Sequence, residues 1–172
     1  MEVREIRIEE IEKVMEIIND AIAFLKPQSK QWQQGYPNVD SMTKDILNHN
    51  LFGVYSNNQL TCLAALIIGK DKTYVNMVEG KWNIDANDKD LVIHRIAVSN
   101  KYRGKGFAKE LMIFAENYAK ENKCVSIKVD THRANLPMQN LLLSSGYSYQ
   151  GIIDLNRNEE DQLRLAYELV IK

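Results

Sequence analysis

The chain has 172 residues, 45% hydrophobic and 26% charged, with 22 basic against 23 acidic side chains and a formal net charge of −1. A chain of this length buries roughly 70% of the surface it exposes when unfolded, so one domain spanning 1–172 is expected, with no need of a disulfide or metal staple. The balanced charge argues against a nucleic-acid or membrane-surface footprint, Cys62 and Cys124 lack metal-ligand spacing and read as buried thiols, and the lack of a signal-peptide core or of about 18 consecutive apolar residues points to the cytoplasm.

Val3, Ile6 and Ile8 open the chain with a strand-like segment, and Ile8, Ile11, Met15, Ile18, Ile22 and Leu25 then recur at helical spacing until Pro27 ends the run. Residues 28–40 show no period but carry Trp32, Gly35, Tyr36 and Pro37, the composition of a structured loop that either walls a pocket or covers the core. Asp40 and Ser41 are capping residues for a short helix through Leu47. Leu51–Tyr55 and Leu60–Ile68 flank Ser56-Asn57-Asn58-Gln59, a hairpin signal, and the second strand is apolar from Cys62 to Ile68, as a strand covered on both faces should be.

Residues 69–90 are irregular; Tyr74, Val75 and Met77 suggest a strand extension, and Glu79, Asp85, Asp88 and Asp90 read as a solvated charge cluster. Leu91–Val98 is a buried strand, followed by Arg103-Gly104-Lys105-Gly106 and an amphipathic helix that buries Phe107, Leu111, Phe114, Ala115 and Tyr118. Val125, Ile127 and Val129 alternate with Ser126, Lys128 and Asp130 in a further strand. Asn135-Leu136-Pro137 starts a helix that Gly146 ends, and Tyr147–Asp154 with Leu163–Ile171 form a last strand pair. This order gives a mixed sheet with helices on its faces, an α/β (α+β) domain.

The glycine turn after an apolar strand is an anion site: glycines turn backbone N–H groups toward one point, and the helix start adds unpaired donors. Three phosphate-binding loops compete for it. A Walker loop needs Ser or Thr after Gly104-Lys105, where Gly106 stands. A dinucleotide fingerprint needs a small residue where Lys109 stands, and a glycine turn after the first strand rather than a late one.

The remaining loop, with its strand and helix, resembles the acetyl-CoA site of the GNAT family of N-acetyltransferases, a Q/R-x-x-G-x-G/A turn between strand and helix. Asn135 through Gly146-Tyr147 resembles that family's second cofactor motif, an Asn starting a helix that closes with Gly and an aromatic residue. Gln31-Trp32 with Gly35-Tyr36-Pro37, His94-Arg95-Ile96-Ala97-Val98, Asp130-Thr131-His132 and Met138-Gln139 look like a bacterial subgroup of unassigned substrate. The resemblance covers nearly the whole chain. It implies a mostly antiparallel central sheet of about six to seven strands flanked by about four helices. There are two departures: Lys101 stands at the first loop position, and Leu142 stands where many relatives carry the Tyr that protonates the leaving thiolate.

The resemblance implies an acetyl-CoA-dependent N-acetyltransferase that moves an acetyl group to a primary amine of a small molecule or peptide; the alternative is a non-catalytic acyl-CoA-binding module. Coenzyme A is expected against Ile96, Ala97 and Val98 through backbone, against Arg103, Gly104, Lys105, Gly106, Phe107 and Ala108 in the turn, and against Asn135. An alkylammonium acceptor must lose a proton, and His94 is the expected base, histidine being the side chain suited to proton removal around neutral pH; a core histidine is the competing reading. Tyr147 is the expected acid, ahead of Tyr149. Trp32, Tyr36 and His132 are expected against the acceptor, His132 doubling as an alternative base. No metal is called for. Relatives often dimerise, which allows a homodimer through a strand edge near Leu163–Ile171.

Overall fold

Val14, Ile17, Ile18, Ala21 and Leu25 recur at helical spacing, and in the computed structural model of the protein they form the buried face of one helix, α1 (Ile11–Leu25). The structure describes residues 1–158 and 160–172. Among these are eight strands and four α-helices, one or two strands more than expected, in a mixed and mostly antiparallel α/β arrangement. They fall into two units, Met1–Leu66 with His94–Phe114, and Ile67–Ile93 with Ala115–Lys172.

In the first unit, β1 (Glu2–Glu5) pairs antiparallel with β2 (Leu51–Ser56), which pairs antiparallel with β3 (Gln59–Ile68). The β2–β3 turn is Asn57-Asn58 at φ 49° and 62°, the left-handed pair that asparagine tolerates in a tight hairpin. Helix α2 (Val39–Leu47) starts earlier than the sequence suggested: its N-cap is Asn38, which accepts from the Ser41 N–H at 3.0 Å, while Ser41 Oγ accepts from the Asn38 N–H at 2.9 Å. This reciprocal box satisfies two donors at once, which Asp40 and Ser41 as caps could not. Ile18, Met42, Leu51, Leu63, Leu66 and Leu111 are fully buried, each burial stabilising the fold by roughly 1.5–3 kcal/mol. Between β1 and α1, Arg4 grips both carboxylate oxygens of Glu10 at 3.0 and 3.1 Å, and Tyr55 Oη donates to the same carboxylate at 2.7 Å.

The second unit holds the first half of β5 (Asp90–Val98), then β6 (Ser126–Thr131), β8 (Leu163–Val170), β7 (Ser148–Asp154) and β4 (Met77–Gly80), in that order of pairing. The β5–β6 pairing is parallel, Asp90 opposite Ser126 through Ile93 opposite Val129, and the others are antiparallel. β8 therefore lies between β6 and β7, so the stretch near Leu163–Ile171 offers no free edge for a partner subunit. At the other end of this order β4 and β7 approach so closely that a Cβ on Gly151 would stand 2.0 Å from the Glu79 carbonyl oxygen.

Residues 69–90 are solvated at Glu79, Asp85 and Asp88, as expected, but not throughout. Tyr74 and Trp82 are buried in a core with Val92, Ile153, Leu155 and Ala166, and Trp82 Nε1 donates to the Tyr74 carbonyl at 2.8 Å. This layer covers the face of β6 that alternation had marked as polar and outward, so Ser126 and Lys128 are buried. Lys128 Nζ donates to Asp90 Oδ1 at 2.7 Å and to Ser126 Oγ at 2.6 Å, and stands 3.5 Å from Glu168 Oε1. Glu168 also accepts from the Asn83 and Ile84 N–H groups, and Tyr74 Oη donates to Asp130 at 2.6 Å. Asp90 thus belongs to a buried ion pair rather than to the solvated charge cluster.

Candidate active site

The glycine turn grows out of β5. After Val98, the Ser99 N–H donates to the Thr61 carbonyl at 2.9 Å, the Asn100 N–H to Asp20 Oδ2 at 2.9 Å, and Tyr102 packs edge-on against Phe107 with ring centres 5.5 Å apart. These contacts fix both ends of a turn in which Gly104 and Gly106 sit at φ 74° and 86°, a conformation glycine holds without strain. Helix α3 (Phe107–Glu121) follows at once. Its first hydrogen bonds run from the Lys109 and Glu110 N–H groups to the Gly106 carbonyl, so the Phe107 and Ala108 N–H groups precede the ladder. Among the described residues, chain neighbours aside, nothing lies within 4 Å of where a Cβ on Gly104 or Gly106 would stand. Open backbone donors, left-handed glycines and a helix N-terminus fit a phosphate group.

The basic side chains of the turn divide. Arg103 lies over the Phe24 ring at 3.9 Å and its Nη2 donates weakly to the Val98 carbonyl at 3.4 Å; partial burial lowers its pKa against the raising effect of Asp20. Its guanidinium thus rests on the Phe24 ring with one weak hydrogen bond to the strand end. Lys105 is exposed, its Nζ 5.6 Å from the Tyr102 ring centre.

Upstream, β5 changes character at Arg95. Its pairing with β6 ends at Ile93, and Arg95 takes φ 55°, left-handed backbone inside a strand. The Arg95 side chain is held by Asp45, with Nε to Oδ2 at 2.6 Å and Nη2 to Oδ1 at 2.9 Å, and by Tyr36, whose Oη accepts from Nη1 at 2.6 Å. Burial works to lower the Arg95 pKa, but Tyr36 and Asp45 outweigh it and the net shift is upward. Tyr36 is therefore the phenolic acceptor of a buried cation, which joins residues 28–38 to β5. Trp32, in the same loop, is half-buried at φ 63°. The loop is also tied to α1, Gln28 Nε2 donating to the Phe24 carbonyl and Gln33 Nε2 to that of Ile22. His94 is half-buried beside Arg95; Ile96 and Val98 are half-buried and Ala97 buried.

In the second unit, Asn135 caps α4 (Leu136–Ser144), its Oδ1 accepting from the Met138 N–H at 3.3 Å, and the helix closes through Gly146 at φ 88°. Leu142 is fully buried. Tyr147 is 3% exposed and its hydroxyl has no hydrogen-bond partner among the described residues; burial first, and Glu116 second, push its pKa well up. His132 is buried with both ring nitrogens engaged: Nδ1 accepts from the Ala134 N–H at 3.0 Å, which places the proton on Nε2, and Nε2 donates to Asp161 Oδ2 at 2.5 Å.

The family model for the acetyltransferases called GNAT matches residues 20–147, from the middle of α1 to the aromatic residue that follows α4. The chain belongs to the GNAT family. An acetyltransferase of this family from Streptococcus agalactiae is 34% identical, with 99% of this chain and 95% of that one covered and a TM-score of 0.88. The PaiA N-acetyltransferase of Thermoplasma acidophilum, solved in complex with coenzyme A, has the same fold, with a TM-score of 0.72 at 13% identity and 98% of each chain covered. The streptothricin acetyltransferase of Escherichia coli is 32% identical over 99 residues, 56% of this chain and 52% of the relative, so the chain spans about half the length of the curated relative it matches.

For this GNAT protein, sequence reasoning found the glycine turn, the Asn135 cap and the loop of Trp32 and Tyr36, and it missed Arg95 and Asp45 as partners. A signal for them was present. Arg95 is a lone cation in the apolar run Leu91–Val98, and Asp45 stands on the face of α2 that carries Met42 and Ile46. A charge at an apolar position implies a buried counter-charge.

Proposed function

We propose that the chain, over 1–172, is an acetyl-CoA-dependent N-acetyltransferase that moves an acetyl group to a primary amine of a small molecule or peptide by direct attack of the amine. The observation that carries this is the turn of Gly104 and Gly106 opening α3, inside a family match that spans both units. The similarity to a streptothricin acetyltransferase supports a small-molecule amine as acceptor. A cytoplasmic setting is part of the proposal, supported by Cys62 and Cys124, both free and buried.

In the first unit coenzyme A would be held by the N–H groups of Gly104, Gly106, Phe107 and Ala108, by the Lys105 side chain, whose own N–H donates to the Tyr102 carbonyl, and by the backbone of Ile96 to Val98; its thioester supplies an activated acetyl group with a thiol to leave. The chain's own residues then have separable tasks. The Ile96–Val98 backbone supplies hydrogen bonds in a stretch that its pairing with β6 does not reach. His94 takes the proton of the acceptor ammonium; His132, with both nitrogens engaged, is left with a structural part. Tyr147 Oη, without a hydrogen-bond partner among the described residues, is the proposed proton donor to the leaving thiolate. Trp32 forms a wall for the acceptor.

The test is free-thiol release from acetyl-CoA across a panel of primary amines. Amine-dependent thiol is expected. Coenzyme A binding with no amine-dependent thiol would replace the enzyme reading with the non-catalytic binding module. His94→Gln is expected to lower kcat by roughly a hundredfold or more, and a variant that keeps the full rate removes His94 as base.

A further inference from the structure

Arg95 lies between the proposed base, His94, and the first residue of the proposed backbone donor stretch, Ile96. Its φ of 55° is unusual for a residue with a Cβ, and such a conformation persists in a strand where the surroundings over-determine it. Here the surroundings act on the far end of the side chain. Both oxygens of Asp45 and the hydroxyl of Tyr36 receive three N–H groups of one planar guanidinium, at 2.6, 2.9 and 2.6 Å. A two-point grip on a rigid fork fixes direction as well as distance. Asp45 is itself fixed, 6% exposed on α2 beside the buried Met42 and Ile46.

From this geometry we infer that Asp45 and Tyr36 are positioning residues: they lock the Arg95 guanidinium and, through it, the left-handed backbone that aims the His94 ring and the Ile96 N–H. The purpose of that aim rests on the acetyltransferase reading; the lock itself does not. The lock acts on β5 ahead of the glycine turn, which supplies most of the proposed cofactor donors, so catalytic rate should fall further than cofactor affinity.

Asp45→Asn keeps the size of the side chain but removes its charge and one of its two acceptors. It should lower kcat about tenfold with a smaller loss of coenzyme A affinity, because the glycine turn keeps its donors. Adding Arg95→Gly to Asp45→Asn should restore most of the rate, because glycine holds a positive φ with no lock. Adding Arg95→Ala instead should not, because the Cβ remains and the anchor is gone. The amide resonances of Ile96 and Ala97 in nitrogen–proton correlation spectra give a readout without substrate: they should shift in Asp45→Asn and return in the glycine double variant. The inference is overturned if Asp45→Asn leaves both resonances in place, or if the glycine and alanine double variants behave alike. Were wild type to bind coenzyme A and release no thiol with any amine, the acetyltransferase reading would fall while the resonances still decided the lock.

Discussion

The cluster of Arg95, Asp45 and Tyr36 in the first unit and that of Lys128, Asp90 and Glu168 in the second are both buried cations among oxygen acceptors, yet they are built to different ends. In the first, one guanidinium meets one carboxylate and a phenol, and the cation belongs to a residue whose backbone is left-handed. In the second, one ammonium faces two carboxylates, and its strand runs in regular register, Lys128 opposite Glu168 and Ser126 opposite Val170. The first offsets a backbone conformation that costs roughly 1–3 kcal/mol. The second ties the ends of β5, β6 and β8 to the layer over them, through Asn87 on Asp90 and Asn83 on Glu168. Burial alone therefore does not reveal what a charge is for; the conformation of the residue that carries it does.

The contrast can be broken first at Lys128. Lys128→Met leaves two buried carboxylates without their cation and should lower the unfolding free energy by roughly 3–5 kcal/mol in urea titration, with Lys128→Met/Asp90→Asn/Glu168→Gln recovering part of it. A loss within about 1 kcal/mol would show that the second cluster is not a tie. Asp45→Asn should cost less in stability, about 2 kcal/mol, yet more in rate at a temperature where the variant is fully folded. Tyr36→Phe removes one neutral acceptor of three and should cost about 1 kcal/mol, with a smaller fall in kcat than Asp45→Asn gives.

The smallest effect should come from Glu10, outside both clusters. Burial acts to raise its pKa, but Arg4, the Arg7 N–H and Tyr55 bring it below the ordinary 4.5. A carboxylate depressed in the folded state contributes stability that is present above that ordinary value and is lost as pH falls through the folded one. Wild type should therefore lose melting temperature below pH 4.5 more steeply than Glu10→Gln.

Much of this was legible in the sequence because local rules decide it. Asn57-Asn58 set the hairpin, Asn135 and Gly146 bounded α4, and apolar spacing found α1, although of the stripe it named only Ile18 and Leu25 are buried, the buried face being completed by Val14, Ile17 and Ala21. Local rules failed where a distant layer changed the environment. Ser126 and Lys128 alternate with apolar residues as if facing water, and only the packing of Tyr74 and Trp82 above them makes that face an interior. Asp45 and Arg95 are 50 residues apart, and no spacing rule joins them. Nor did a glycine announce the left-handed residue in β5. The edge reading of Leu163–Ile171 failed for the same reason, since the last strand in sequence is an interior one in space.

The close approach of β4 to β7 has a consequence for behaviour in concentrated solution. β4, the outermost strand of its unit, has four residues, a register irregularity between Met77 and Glu79, and an exposed Glu79 ahead of the positive-φ Gly80. A strand that short, kinked and acidic is a poor template for a strand from another molecule. Exposed Val78 is thereby kept from seeding edge-to-edge association, and replacing Glu79 with an apolar β-former should make the protein prone to aggregate.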